Sequence, residues 1–392
     1  WTEAGWTSTD ANWLAELITW VTDNVPSEWT SAYLAYSIIN ISGTDYRVAF
    51  MYKGAITVTA TVGSASAITG ETSQYDISYK ACMCYDSGND RIILVHRDGK
   101  ATVGSISGTS ITWGTPVQYE AGSIFATCAY DEASGKVLVF YTDGSNNFKV
   151  IVGTVSGTSI SFGSATTIEA SYGWAYNYPI FDPYSQRVVA AYSDSIVICT
   201  VSGTSVSVSV QEIPLIVNGL PPSLCIDTYR SNVVLLSRPD NLLGYLTSVR
   251  ITGATSLEVT SSPRTAIPNQ MVVIADVVYD QSLDRCVVVY GTTLHLVENA
   301  NNSSEDFTIG SALITGGSNV ASIVYNNKAR MHGVFDTDVG LIPTVFRTND
   351  YRYAGTPVDP SGFPKSIHNY KDNILVIIGK VIEIEGFVAT IG

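Results

Sequence analysis

An apolar residue followed by aspartate, a short polar turn and a β-branched strand recurs along this chain. It stands at Tyr85-Asp86, Tyr130-Asp131, Phe181-Asp182, Ile226-Asp227 and Tyr279-Asp280, and decays to Tyr325-Asn326 and Tyr370-Lys371. The copies lie roughly 45 to 53 residues apart. A second landmark keeps the same period: Ser107-Gly108-Thr109-Ser110, Ser156-Gly157-Thr158-Ser159, Ser202-Gly203-Thr204-Ser205 and, more loosely, Thr252-Gly253-Ala254-Thr255. Two independent landmarks in one rhythm, both between strand-like runs, indicate a repeat of small antiparallel sheets.

Each landmark has a local physical reason. A carboxylate opening a turn accepts a hydrogen bond from the backbone NH two residues on. Glycine between two β-branched strands supplies the positive φ of a tight hairpin. A calcium loop is the competing reading of the aspartates, but it needs acidic or amide side chains at alternate positions. Asp131-Glu132-Ala133-Ser134-Gly135 has too few of them, and the aspartates read as turn formers.

One unit cannot bury its own apolar face, so the units must pack on one another. The expected fold is all-β: a β-propeller of about eight four-stranded blades, with a short N-terminal helix. Seven blades is the alternative, reached if the first and last partial units combine into one blade that closes the ring. Closure removes the exposed edges that invite aggregation.

Residues 1–30 read as a separate helical leader ahead of a propeller at 31–392. Thr9 or Asp10 can cap a helix that ends before Pro26, with Trp13, Leu14, Leu17, Ile18 and Val21 on one face. Trp6, Trp13, Leu17 and Trp20 are the expected assembly residues, since so many large rings on a short leader need a surface to cover them. A plug on the chain's own body is the other reading.

The net charge of −14 on 392 residues, with a pI near 4.6, disfavours a phosphate backbone as partner, so no nucleic acid is expected. The longest apolar runs, such as Ile374–Ile378, are strand-length, which argues against membrane insertion. The six cysteines sit in strand patterns without ligand spacing on a turn, and they read as small buried hydrophobes. A disulfide would require strand neighbours in register. The four histidines, His96, His295, His332 and His368, share no spacing. No metal site, cofactor or catalytic residue set is therefore expected. No nucleophile elbow, P-loop or dinucleotide fingerprint occurs.

Two features stand apart from the repeat. Asp276 is the only charge within Val272–Val278, on a strand expected to line a central channel, where it could hydrogen-bond to neighbouring backbones. Tyr172, Trp174, Tyr176 and Tyr178 alternate ahead of a landmark turn, and Tyr351, Arg352 and Tyr353 form a second aromatic group. Rings among amides and hydroxyls suit contact with a carbohydrate or a protein. Wedging between blades competes with that reading.

Phe181–Tyr192, together with Val152–Ser164, resembles the repeats of phage tail-fibre and other virion appendage proteins. The likeness is best over residues 76–265. It implies a location on a virion (tail or appendage) or outside the cell, homo-oligomeric assembly with other virion or surface subunits, and adhesion to a host-surface glycan or protein. The expected function is thus structural or adhesive and not enzymatic. A glycoside hydrolase or lyase with a central-channel site is one alternative, and an extracellular filament or scaffold subunit is another.

Overall fold

The computed structural model describes residues 83–96, 98–108, 110–172, 178–192, 195–213, 220–238 and 243–260 continuously, and elsewhere only the strands named below. None of the described residues is helical. The expected leader helix, with Trp6, Trp13, Leu17 and Trp20, lies outside them. The chain divides into two compact units, Trp1–Thr57 and Val58–Gly392. The first contributes one antiparallel hairpin, Trp29–Ile41 with Thr44–Lys53, closed at Ile41↔Thr44.

The second unit contains seven antiparallel sheets of four or five strands among the described residues. They are numbered here 1 to 7 in chain order, over residues 83–118, 125–169, 178–212, 220–270, 275–314, 320–354 and 363–391. Each is a meander, and sheet 2 is representative: Phe125–Asp131, Lys136–Thr142, Phe148–Ser156 and Ser159–Phe162 pair in order, and Thr166–Glu169 adds to the third strand. Sheet 7 borrows its outer edge. Ala60–Val62 and Ser66–Ala67, from the start of the unit, pair with Ile384–Ile391 at its end.

First strands of successive sheets lie against one another, and Phe363–Tyr370 of sheet 7 contacts Met83–Asp86 of sheet 1. The indole NH of Trp113 in sheet 1 also donates to the Ser66 carbonyl at 3.2 Å. Among the described residues, the second unit is all-β and propeller-like.

Both faces of a sheet are buried, which explains the near-continuous apolar second strands. In sheet 2, Val137, Val139 and Tyr141 pack toward Ile93, Val95 and Val103 of sheet 1. The alternate residues Leu138 and Phe140 pack toward Val188, Ala190 and Tyr192 of sheet 3. Sheet 3 repeats the device, turning Val189 and Ala191 toward Leu224 and Leu235 of sheet 4. A strand buried on two sides reads as apolar throughout instead of alternating. Each large side chain so buried contributes about 2 kcal/mol.

The landmark turns behave as their chemistry requires. Asp86, Asp131, Asp182 and Asp227 end first strands and are buried. Their carboxylates accept the backbone NH groups of Asn89, Ala133, Tyr184 and Tyr229 at 2.9 to 3.1 Å. The fourth residue after each aspartate has positive φ, and it is Asp90, Gly135, Gln186 or Ser231. The second landmark is a two-residue hairpin closed at Ser156↔Ser159 and Ser202↔Ser205, with glycine at the first central position at φ near 60°.

Candidate functional site

A meander puts the aspartate turns and glycine hairpins at one end of a sheet, and its remaining loops at the other. Three places in the second unit bring chemically capable side chains together.

On the turn side, Tyr184 and Tyr229 each sit two residues after a landmark aspartate, in adjacent sheets. They are 45% and 69% exposed, high for tyrosine. The Tyr184 hydroxyl donates to the Thr228 carbonyl, so the first ring lies against the turn that carries the second. The Arg230 guanidinium stands 5.1 Å from the centroid of the Tyr229 ring while Nη1 pairs with Asp227 Oδ2 at 3.1 Å. The neighbouring hairpins expose Ser, Thr and Gly. The result is a pair of rings in a hydroxyl-rich surround, with Arg230 held by a buried carboxylate while Arg250 and Arg187 donate to the Arg230 and Ser185 carbonyls at 3.3 and 2.6 Å.

On the loop side, sheets 1 and 2 meet in a charged network. Asp143 accepts from the backbone NH groups of Ser145 and Asn147 at 2.8 and 2.9 Å, and pairs with Lys149 Nζ at 2.7 Å. Burial pushes its carboxyl up, but Lys149 and these NH groups more than reverse that and hold it well below the usual carboxylate range. The Tyr141 hydroxyl donates to Glu120 Oε2 at 3.1 Å. Burial first, and then the Glu120 charge, push that phenol far above its ordinary value. Asn147 Oδ1 accepts the NH of Ser171 and so anchors the start of the aromatic stretch that follows. Nearby His96 is buried, its Nε2 is 2.7 Å from Thr102 Oγ1, and burial lowers its pKa to about 4. These residues serve one another, and the network reads as a clamp on the loops.

The third place is on the first strands. Asp276 and Ser223 each stand four residues before a landmark aspartate, at the same level in sheets 5 and 4. Ser223 Oγ donates to Asp276 Oδ1 at 2.5 Å. Oδ1 also accepts the NH of Val277 at 3.1 Å. Both side chains are buried. Asp276 thus bonds across to the neighbouring sheet and to its own backbone.

Of the aromatic candidates, Tyr172 is half-buried and meets Tyr192 edge-on, with centroids 5.4 Å apart, against the core of sheets 2 and 3. Tyr178 pairs with Ala191 in the first strand of sheet 3. Arg352 and Tyr353 pair with Phe346 and Val345 in sheet 6. Trp174, Tyr176 and Tyr351 lie outside the described residues. Sequence reasoning did not single out Tyr184, Tyr229 or Arg230. The signal for the two tyrosines was a large ring at the second position after a landmark aspartate, where other copies carry Gly88 or Ala133. Among the described residues no three His, Cys, Asp or Glu side chains gather as a metal site would require.

No family model matches the sequence, and no curated protein matches it. Solved structures do resemble the fold. Selenomethionine-substituted virginiamycin B lyase from Staphylococcus aureus aligns at a TM-score of 0.56 and 11% identity, over 84% of this chain and 99% of that one. A catalytically inactive variant of the same lyase with quinupristin aligns at 0.55 and 11%, over 85% and 99%. At that identity the likeness concerns the fold alone.

Proposed function

We propose that this chain is a non-enzymatic, adhesive β-propeller of seven blades, carried on a virion or cell surface, that binds a neutral glycan through its turn side. The observation that carries the reading is the exposed pair Tyr184 and Tyr229 on consecutive turns, braced by Thr228 and Arg230. Sugar rings present flat C–H faces to aromatic side chains and hydroxyls to the Ser, Thr and guanidinium groups around them. The landmark aspartates spend their carboxylates on turn backbones, so the repeat's acids act as structure.

Seven blades is supported by the pairing of Ala60–Val62 with the final strand, which joins the start and the end of the Val58–Gly392 unit in one sheet. The repeats that resemble virion appendages support the surface location. On that reading the Trp1–Thr57 unit is the handle for assembly with further copies or subunits, through Trp6, Trp13, Leu17 and Trp20. The groups Tyr172–Tyr178 and Tyr351–Tyr353 are further contact candidates.

A second reading is a lyase or hydrolase acting near the first strands. It is favoured by the buried Asp276–Ser223 pair and by the likeness to a lyase fold. A glycan array read for binding and for cleavage separates the two. Retention of a glycan, unaltered by the protein and weakened about tenfold or more by Tyr229→Ala, is the expected result. Turnover of any array glycan, or of quinupristin, with Tyr229→Ala still active would sink the adhesive reading.

A further inference from the structure

We infer that Cys225 and Cys286 form an oxidisable pair that closes to a disulfide and staples sheet 4 to sheet 5. Cys225 lies in the first strand of sheet 4, and Cys286 in the second strand of sheet 5. Their sulfurs stand 3.9 Å apart, in contact, and both thiols are free. A disulfide needs sulfurs at about 2.05 Å, so closure takes a shift of roughly 2 Å shared between two side chains. The other described thiols, Cys84, Cys128 and Cys199, belong to sheets 1, 2 and 3.

The surroundings hold the pair in place. Val234, Leu236 and Leu246 of sheet 4 and Val277, Tyr279, Val288 and Val297 of sheet 5 pack around it in one cluster. The two sheets share this apolar contact but no ladder of strand pairing. A covalent bond here would add a connection of a different kind, closing a loop of 61 residues that otherwise stays free in the unfolded chain.

The chemistry balances with a low-molecular-weight disulfide as oxidant. One cysteine, as thiolate, attacks a sulfur of that disulfide, forms a mixed disulfide and expels one small thiolate. The second cysteine loses its proton and attacks the mixed disulfide at the protein sulfur, expelling the second small thiolate. Two protein thiols are oxidised, one small disulfide is reduced to two thiols, and two protons pass to solvent or to the leaving thiolates. Burial and the neighbouring thiol both push Cys225 well above its ordinary pKa, so the exchange runs through transient opening between the sheets and quickens with pH. The pair is silent in a reducing compartment and locks slowly in an oxidising one.

The test uses the full chain incubated with 2-hydroxyethyl disulfide at pH 8, across a series of urea concentrations up to the unfolding midpoint. It is then unfolded, alkylated and mapped by mass spectrometry. The expected product is a Cys225–Cys286 linked peptide about 2 Da lighter than the two reduced peptides together. Dithiothreitol should remove it, and neither Cys225→Ser nor Cys286→Ser should form it. The oxidised wild type should also melt roughly 5 °C higher, a gain absent from both variants. Recovery of both cysteines alkylated throughout the series overturns the inference. So does a persistent mixed disulfide on either one, or a linked peptide that brings no change in melting.

Discussion

Thr204 closes its carbonyl over Gly163, so that a Cβ built on that glycine would stand 1.9 Å from the oxygen. Gly114 stands in the same relation to Thr158, at 2.0 Å. In both cases the glycine just after a fourth strand receives the hairpin of the next sheet. This is how the two landmarks of the repeat cooperate. The glycine in the hairpin shapes the turn, and the glycine after the strand gives that turn somewhere to land. Arg91, whose Nε donates to the Gly157 carbonyl at 2.9 Å, reinforces the same junction.

Gly163→Ala should therefore cost about 3 kcal/mol, because backbone must move to admit the methyl. Gly157→Ala is the contrast. Its φ is +61° and open space lies around it, so the change costs only the local backbone penalty of about 1–2 kcal/mol. Urea denaturation of the two variants should rank them in that order. Equal losses would mean that the hairpin does not seat on its neighbour.

His96 makes stability depend on mildly acidic pH. Its folded pKa is near 4 because burial disfavours the imidazolium, whereas the unfolded chain titrates near 6.5. Between those values the unfolded state binds the extra proton, so stability falls as pH drops through the window, by at most about 3 kcal/mol. His96→Gln keeps a polar partner for Thr102 and removes the titration. Its thermal midpoint should change less than the wild type's between pH 7 and 4.5.

Asp143 works in the same direction at lower pH. Its folded carboxyl is held below the unfolded value, so the stabilisation is complete above the ordinary carboxylate range and disappears as pH falls through the folded value. Lys149→Met removes the ammonium at 2.7 Å and should cost about 1–2 kcal/mol at pH 7. Near pH 2 the gap between variant and wild type should narrow. A constant gap would show that the lysine stem, not its charge, holds the loop.

Much of the sheet architecture was legible in the chain because its signals are local. A buried aspartate that organises its own turn leaves the same short string wherever it is used. A two-residue hairpin between β-branched strands does the same. The left-handed position four residues after the aspartate was not legible, because Asp90, Gln186 and Ser231 occupy it as well as Gly135. The makeup of the last sheet stayed open between two readings for a different reason. Ala60–Val62 finds its partner more than 300 residues away, and no spacing rule reaches that far. Asp276 stood out as a lone charge in an apolar run, but its partner Ser223 was one serine among many. Tyr229 was hidden in plain view, since exposure is a property of the packed sheets.

Asp276 separates structure from chemistry most sharply. Its Oδ1 receives both the Ser223 hydroxyl and the Val277 NH in a buried setting. Asp276→Ala takes that acceptor from both donors, leaving the Val277 NH only Ser223 Oγ at 3.3 Å, and should lower stability by about 2 kcal/mol. Asp276→Asn retains a carbonyl oxygen in the same place and should cost less than half as much. If the pair only joins sheets 4 and 5, ligand binding by the Asn variant should equal that of the wild type. A stable Asp276→Asn protein that loses a measurable turnover would instead assign this carboxylate to catalysis, because the isostere preserves the Oδ1 hydrogen bonds while removing the charge and its capacity to carry a proton.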